Sequence, residues 1–287
     1  MSQYFSIALT ILTLIAGVIW AINIKKKFKN SNMQEIASTF PLLFAIFFLR
    51  SFVAEPFQVP SSSMEPTLFP GDFILVKKYK YNIKDPIFRK TIIETSMPKR
   101  GDLAVFKYPK NEKLDFIKRI VGLPGDTIKY QSKNILINGE PAYIKTLWIK
   151  PACTQPEQQD CGVFKEIKKE VSLLKDTQEN KQVKYNENLL GLVHQTKYMQ
   201  NMPSIKNMFY NKLDVFRVSE GHYFVLGDNR DNSEDSRYWG LLPEENLVGQ
   251  AFFIWMSFDY ETDNKFMQKL PGWFPKNLRI ERLGTIQ

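Results

Sequence analysis

From Tyr4 to Ile24 the chain runs for about 21 residues without one charged side chain, long enough to cross the apolar core of a bilayer as a single helix. A backbone immersed in lipid must satisfy its own N–H and C=O groups, so a lone run of this kind has no alternative to the helix. Residues 1–3 hold no Lys or Arg, so the basic opening of a cleavable secretory leader is missing and a retained anchor is expected. The basic cluster comes afterwards, at Lys25-Lys26-Lys27-Phe28-Lys29. Positive loops stay in the cytoplasm, which places the N-terminus outside.

A second apolar stretch runs from Ile36 to Val53, charge-free as far as Leu49. Arg50 follows, and its aliphatic stem can snorkel so that the charge reaches the headgroups. Pro41 is expected in the first turn or two, where proline costs least. Two spans, about 4–24 and 36–53 with the basic loop between them, make residues 1–57 a membrane anchor and put all that follows outside the cytoplasm. The alternative, a core or interfacial helix at 36–53, leaves the remainder in the cytoplasm with reduced thiols.

Beyond residue 57 the pattern is strand-like. Short apolar runs occur at Phe73-Ile74-Leu75-Val76, Leu103-Ala104-Val105-Phe106, 117–123, Ile135-Leu136-Ile137, 223–226 and 252–255. Turn formers separate them, among them Pro70-Gly71-Asp72, Pro124-Gly125-Asp126 and Asn138-Gly139. Asn-Gly between apolar positions predicts a two-residue type I′ hairpin. The expected class is mainly β: an antiparallel sheet or partly closed barrel, behind two N-terminal transmembrane helices. Residues 141–217 are Lys-, Gln- and Asn-rich, and read as an inserted extracytoplasmic subdomain within one β domain made of 58–140 and 218–287.

The formal net charge of +9 fits nucleic acid or an anionic membrane surface. No nucleic-acid-binding signature accompanies it, and part of the excess sits in the 25–29 cluster, which favours lipid. The two histidines, His194 and His222, carry no motif and read as surface or strand-edge residues. Their scarcity counts against a Ser-His-Asp triad and a His-rich metal site. Cys153 and Cys161 cannot by themselves complete a four-ligand zinc site, and outside the cytoplasm a local disulfide is the simplest expectation.

Three segments could carry chemistry. Pro60-Ser61-Ser62-Ser63-Met64-Glu65-Pro66 follows directly on the second apolar stretch. Its serines could cap a helix opened by Glu65-Pro66, or supply a nucleophile to an adjacent base. In Leu114-Asp115-Phe116-Ile117-Lys118-Arg119-Ile120, strand alternation puts Lys118 on one face with Leu114, Phe116 and Ile120. A lysine among apolar neighbours loses hydration, and its pKa falls from a reference of about 10.4. Such an amine can take a proton from serine; the bland alternative is a lysine snorkelling at a strand edge. Arg119 points the other way and keeps its charge. The third segment, Asp228-Asn229-Arg230-Asp231-Asn232-Ser233-Glu234-Asp235-Ser236-Arg237, fails the EF-hand template, with Ser233 at the glycine position and Trp239 at the glutamate position. A network of turns and ion pairs fits it better.

Together these boxes resemble those of type I signal peptidases, membrane-bound Ser/Lys endopeptidases, and most closely the Gram-negative members with two N-terminal spans. The resemblance covers the second apolar stretch to about residue 140, and about 221–259. It implies Ser63 as nucleophile and Lys118 as general base. It further implies Ser61 at the oxyanion, Ser233 orienting the lysine, and Asp235 with Arg237 as a structural pair. Phe57, Val59, Met64, Leu68, Ile74, Phe116 and Ile117 match the walls of the family's substrate pockets. Ser62 stands where many members have glycine. The implied substrates are secretory preproteins cut after small residues, in an Ala-X-Ala-like pattern. The implied setting is the bacterial inner membrane, with N-terminus and catalytic domain on the periplasmic side near the export machinery. No cofactor, no metal and no nucleic acid are called for. Trp255 and the Trp273-Phe274 pair could dip into the bilayer interface, core packing being the other reading of Trp255. A self-cleaving Ser/Lys regulator is the first rival, but the one Ala-Gly, Ala16-Gly17, lies inside the first apolar run. A membrane-anchored binding module without catalysis is the second.

Overall fold

A computed structural model of the chain describes residues 2–26, 31–85, 90–131, 134–142, 144–148, 182–199, 215–260, 271 and 275–286. Cys153, Cys161 and the Trp273-Phe274 pair lie outside the described residues. Two apolar helices come first, α1 (Ser2–Lys26) and α2 (Ser31–Phe48), and both are long and apolar enough to cross a membrane. They pack on each other where Gly17 leaves room for the Phe40 ring, which also meets Trp20 at 5.0 Å between centroids. Large side chains elsewhere on them face outward, with Leu14 63% and Leu42 66% exposed.

Helix α2 begins earlier than the apolar run suggests, because the polar residues from Ser31 to Glu35 join it. Pro41 therefore lies in the helix interior and not in its first turns, where it removes the N–H that would meet the Ala37 carbonyl. The helix then widens into one π turn, Leu49–Val53, and passes directly into a strand.

Antiparallel strands make up the rest. β1 (Ala54–Gln58) and β2 (Asp72–Lys77) enclose the serine loop, and a small ribbon of β3 (Ile83–Lys84) and β4 (Thr91–Ile93) follows. β5 (Leu103–Tyr108) and β6 (Asn111–Gly122) form a long hairpin. β7 (Thr127–Gln131), β8 (Asn134–Ile137) and β9 (Glu140–Pro141) form a meander. The turn from β8 to β9 is Asn138-Gly139 with φ of 54° and 86°, the two positive values a type I′ turn requires. β10 (Ile144–Trp148), β11 (Gln182–Leu189) and β12 (Leu192–Met199) make a separate three-stranded sheet. β13 (Val215–Arg217) pairs with β7, and β14 (His222–Leu226) with β6 and with β15 (Leu242–Pro243). A one-turn helix, α3 (Ser236–Trp239), lies between those two.

The hub is β16 (Leu247–Asp259), which pairs with β2 and β5 and receives β17 (Asn277–Leu278) and β18 (Gly284–Thr285). Its register shifts between Ala251 and Phe253 and again between Ile254 and Met256; bulges of this kind bend a strand and increase its twist. The main sheet runs β1-β2-β16-β5-β6-β14-β15. No closed barrel forms among the described strands, and the antiparallel architecture is as the sequence pattern predicts. One apolar cluster, built on Val59, Met64, Leu68, Ile74 and Val105, supports the serine loop; a second, on Phe106, Ile120, Tyr223 and Val225, supports the β5–β6 hairpin.

Candidate active site

The serines do not cap a helix. Ser62–Met64 form a single 3-10 turn, its flanking residue Ser61 makes no side-chain cap bond, and Glu65 is already extended. Ser62 has no positive φ, so serine is accommodated there without strain. Asn232 Nδ2 donates to the Ser62 hydroxyl at 2.8 Å, and Asn229 Nδ2 donates to the Ser62 carbonyl at 3.0 Å. The turn is thus fixed by the 228–232 loop while Met64, wholly buried, pins it from below.

Lys118 lies opposite. Its neighbours on β6 pair with β5 on one side and β14 on the other, so the strand is covered by backbone on both edges at this point. The side chain is 4% exposed, and Nζ lies 2.7 Å from Ser63 Oγ. Burial lowers the amine to a pKa of about 8; Asp235 and Asp228 pull the other way without cancelling it. Ser61 Oγ is 3.4 Å from Ser63 Oγ. Ser233 is buried, with its hydroxyl unpaired, against Gly227. A Cβ on Gly227 would come within 2.1 Å of Ser233 Oγ and 2.6 Å of the Ser63 carbonyl oxygen, so only glycine lets the loop approach this closely.

Asp235 and Arg237 meet as a buried bidentate pair, at 2.7 Å from Nε and 2.8 Å from one terminal nitrogen. Asp235 also accepts from the Gly227 N–H at 3.0 Å, and Arg237 donates to the Arg230 carbonyl at 2.6 Å. Burial pushes the Asp235 carboxyl up, but Arg237 outweighs it and holds it below its ordinary value. Of the seven expected pocket residues, Val59, Met64, Leu68 and Ile74 share one cluster, with Phe57 and Ile117 packed against it. Phe116 belongs to the neighbouring cluster with Phe106 and Tyr108. Trp255 is 39% exposed and meets Phe73 edge-on.

Sequence reading missed a second layer. Arg119 is buried and grips Asp228 through Nε at 2.9 Å and a terminal nitrogen at 2.7 Å, while Thr67 Oγ1 donates to the same carboxylate at 2.5 Å. Arg230, fully buried, binds Glu187 on β11 through both carboxylate oxygens. His194 corrects the surface half of the expectation: it lies on β12, the edge strand of its sheet, but is 6% exposed, with Nε2 3.3 Å from Glu187 and 3.6 Å from Asp228. Burial lowers its pKa, so the ring fits there neutral. The β11–β12 hairpin also bonds to the loop through backbone. The Lys197 N–H donates to the Asp228 carbonyl at 2.8 Å, and the Arg230 N–H donates to Lys197 at 2.9 Å. Lys197 Nζ forms an ion pair with Glu65, two residues past Ser63. A signal existed in the sequence: Glu187, Leu189, His194, Thr196 and Tyr198 alternate as inward positions, but most are polar and suggest solvent.

The fold and site define an antiparallel β protein with two apolar N-terminal helices, built around a buried lysine that meets a serine hydroxyl. The chain belongs to the signal peptidase family, peptidase S26, whose model matches residues 32–256. Members of this family are serine proteases. The chain is 38% identical to a signal peptidase I of Buchnera aphidicola subsp. Schizaphis graminum, with all of both chains covered. It is 41% identical to a signal peptidase I of Pseudomonas fluorescens over 77% of this chain and 71% of that one. A signal peptidase I of Haemophilus influenzae is 32% identical, covering 98% and 91%.

Proposed function

We propose that the chain is a membrane-anchored endopeptidase that removes signal peptides from exported preproteins, with Ser63 as nucleophile and Lys118 as general base. The observation that carries this is the 2.7 Å contact between Lys118 Nζ and Ser63 Oγ, made by an amine whose burial favours the neutral form. As Ser63 Oγ attacks the scissile carbonyl carbon, the Lys118 amine takes the hydroxyl proton. The oxyanion that forms is held by the Ser61 hydroxyl and the Ser63 N–H. When the C–N bond breaks, the Lys118 ammonium returns its proton to the leaving amine. Water then attacks the Ser63 ester while Lys118 accepts its proton, and as the ester C–O bond breaks Lys118 hands that proton to Ser63 Oγ, freeing the carboxylate product. Ser233 orients the amine, and Asp235 with Arg237 holds Ser233 in place.

The substrate binds extended, so alternate side chains face the enzyme. Phe57, Val59, Met64, Leu68, Ile74, Phe116 and Ile117 form or back two shallow apolar pockets that admit only small residues at the first and third positions before the cut. Two spans put the 25–29 basic loop in the cytoplasm and Ser63 on the periplasmic side, next to lipid and close to where exported chains emerge. Residues 141–217 form an extracytoplasmic insertion, in which a Cys153–Cys161 bridge belongs to an oxidising compartment.

The test is cleavage of a purified preprotein in detergent micelles as a function of pH. With a base of pKa about 8, kcat/KM rises with pH, is half-maximal near 8, and falls about tenfold per unit well below that. Cleavage that ignores pH between 6 and 9, or that survives Ser63→Ala, sinks the assignment.

A further inference from the structure

Glu234 stands between Ser233 and Asp235 and is exposed, yet its side chain is held. Tyr108, at the end of β5, donates a 2.7 Å hydrogen bond from its hydroxyl to Glu234 Oε1. The Tyr108 ring stacks on Phe116, with centroids 4.5 Å apart and planes 7° from parallel. Lys118 Nζ in turn lies 5.4 Å from the Phe116 ring centroid. Carboxylate, two rings and amine thus form one continuous line that closes the 227–235 loop back onto the β5–β6 hairpin.

Other charges face the amine too. Asp235 is spent on Arg237 and Asp228 on Arg119, each as a buried bidentate pair. Lys107 and Asp115, on the same hairpin as Tyr108, pair with each other at 2.7 Å. Glu234 differs, because among the described residues it has no cationic partner. Its charge remains uncompensated at the rim.

We propose that Glu234 is a positioning residue for the Ser63–Lys118 pair: latched by Tyr108, it closes the loop carrying Ser233 and Asp235 over the amine and lends the amine a negative neighbour. The inference rests on Lys118 being the general base. A carboxylate near an amine favours the protonated form, so Glu234 raises the pH at which Lys118 becomes competent. Its direction opposes burial, and it acts alongside the larger influences of Asp235 and Asp228. Because Glu234 is exposed, salt screens its effect while leaving the buried pairs almost untouched.

The experiment measures kcat/KM against pH for the full chain in detergent micelles, at low and high salt, for wild type, Glu234→Gln, Glu234→Asp and Tyr108→Phe. In parallel, acylation of Lys118 by an amine-selective reagent is followed against pH by mass spectrometry. Glu234→Gln is expected to move both midpoints down by about half a pH unit at low salt, and by less at high salt. Glu234→Asp, which keeps the charge, leaves both where they are. Tyr108→Phe, which keeps the stacking and loses the tether, lowers kcat by about 3–10-fold with KM little changed. Equal loss at every pH in Glu234→Gln, with both midpoints unmoved, overturns the proposal. A labelling midpoint that moves while the activity profile stays fixed supports Glu234 as the negative neighbour of the amine and removes Lys118 as the base.

Discussion

Two hairpins each bring a lysine to the serine loop, and the two lysines are treated differently. Lys118, from β5–β6, meets a hydroxyl, and its nearest carboxylates are already bound to Arg237 and Arg119. Lys197, from β11–β12, meets the Glu65 carboxylate directly. The first arrangement weakens the hold on a proton, because burial withdraws water and no bound carboxylate replaces it. The second ties two segments together. A buried cation therefore reads as chemistry or as fastening according to what faces it, and its burial alone does not decide. The arginines make the same point: Arg119, Arg230 and Arg237 each have a carboxylate in bidentate reach and serve as fasteners.

This contrast can be broken by experiment. Changes on the chemical side should remove activity and leave the fold, while changes on the fastening side should remove the fold first. The largest effect belongs to Ser63→Ala and Lys118→Ala, each expected to lower kcat/KM by at least about 10⁴-fold with an unchanged thermal unfolding midpoint. A melting curve that shifts in step with activity would mean Lys118 is a structural lysine after all. Next comes Arg230→Met, which leaves Glu187 buried without its partner and is expected to destabilise the chain by about 3–5 kcal/mol, read by thermal unfolding in detergent. Retained stability there would show that the β11–β12 hairpin is not anchored through this pair. Gly227→Ala is intermediate, at roughly 1–3 kcal/mol, since a Cβ must displace Ser233 Oγ or the Ser63 carbonyl. Its cost should appear in kcat as well as in stability, because the displaced atoms border the nucleophile. The smallest effect is expected from Lys197→Met, about 0.2–1 kcal/mol for a partly exposed pair. A double-mutant cycle with Glu65→Gln should return most of that as coupling, and no coupling would free the serine loop from the hairpin.

The same contrast marks how far the sequence could be read. The burial of Lys118 was legible because its surroundings are local, whereas the roles of Ser63 and Lys118 came only from the resemblance and are proposals still. Lys118 sits in a strand whose alternation is visible within seven residues, and Ser63 sits in a serine loop directly after an apolar run. The Asp235–Arg237 pair was legible for a similar reason, being two residues apart. The Glu187–Arg230 pair was not, because 43 residues separate its members and neither lies in an apolar pattern. The surface reading of His194 failed on the same ground, since no motif around it announces partners on another segment. In the folded chain its inward neighbours Glu187, Thr196 and Tyr198 are buried as well, and Glu187 and Tyr198 both bond to Arg230 on another segment. Pro41 fell deeper in its helix than expected, since polar residues extended α2 beyond the apolar stretch that announced it.

The passage from α2 through one π turn into β1 contains no free linker. Glu55, buried, takes Arg50 from the π turn at 2.9 Å and Lys78, just past the end of β2, at 3.2 Å. Five residues of strand then carry the chain about 16 Å towards the serine loop. Rod and sheet are thereby welded, so that if α2 crosses the bilayer as proposed, Ser63 keeps a set height above the membrane surface. On the proposed reading the enzyme measures as well as cuts. A scissile bond displayed well above or below that height lies out of reach whatever its side chains, so the spacing between a substrate's apolar segment and its cleavage point becomes a criterion in its own right.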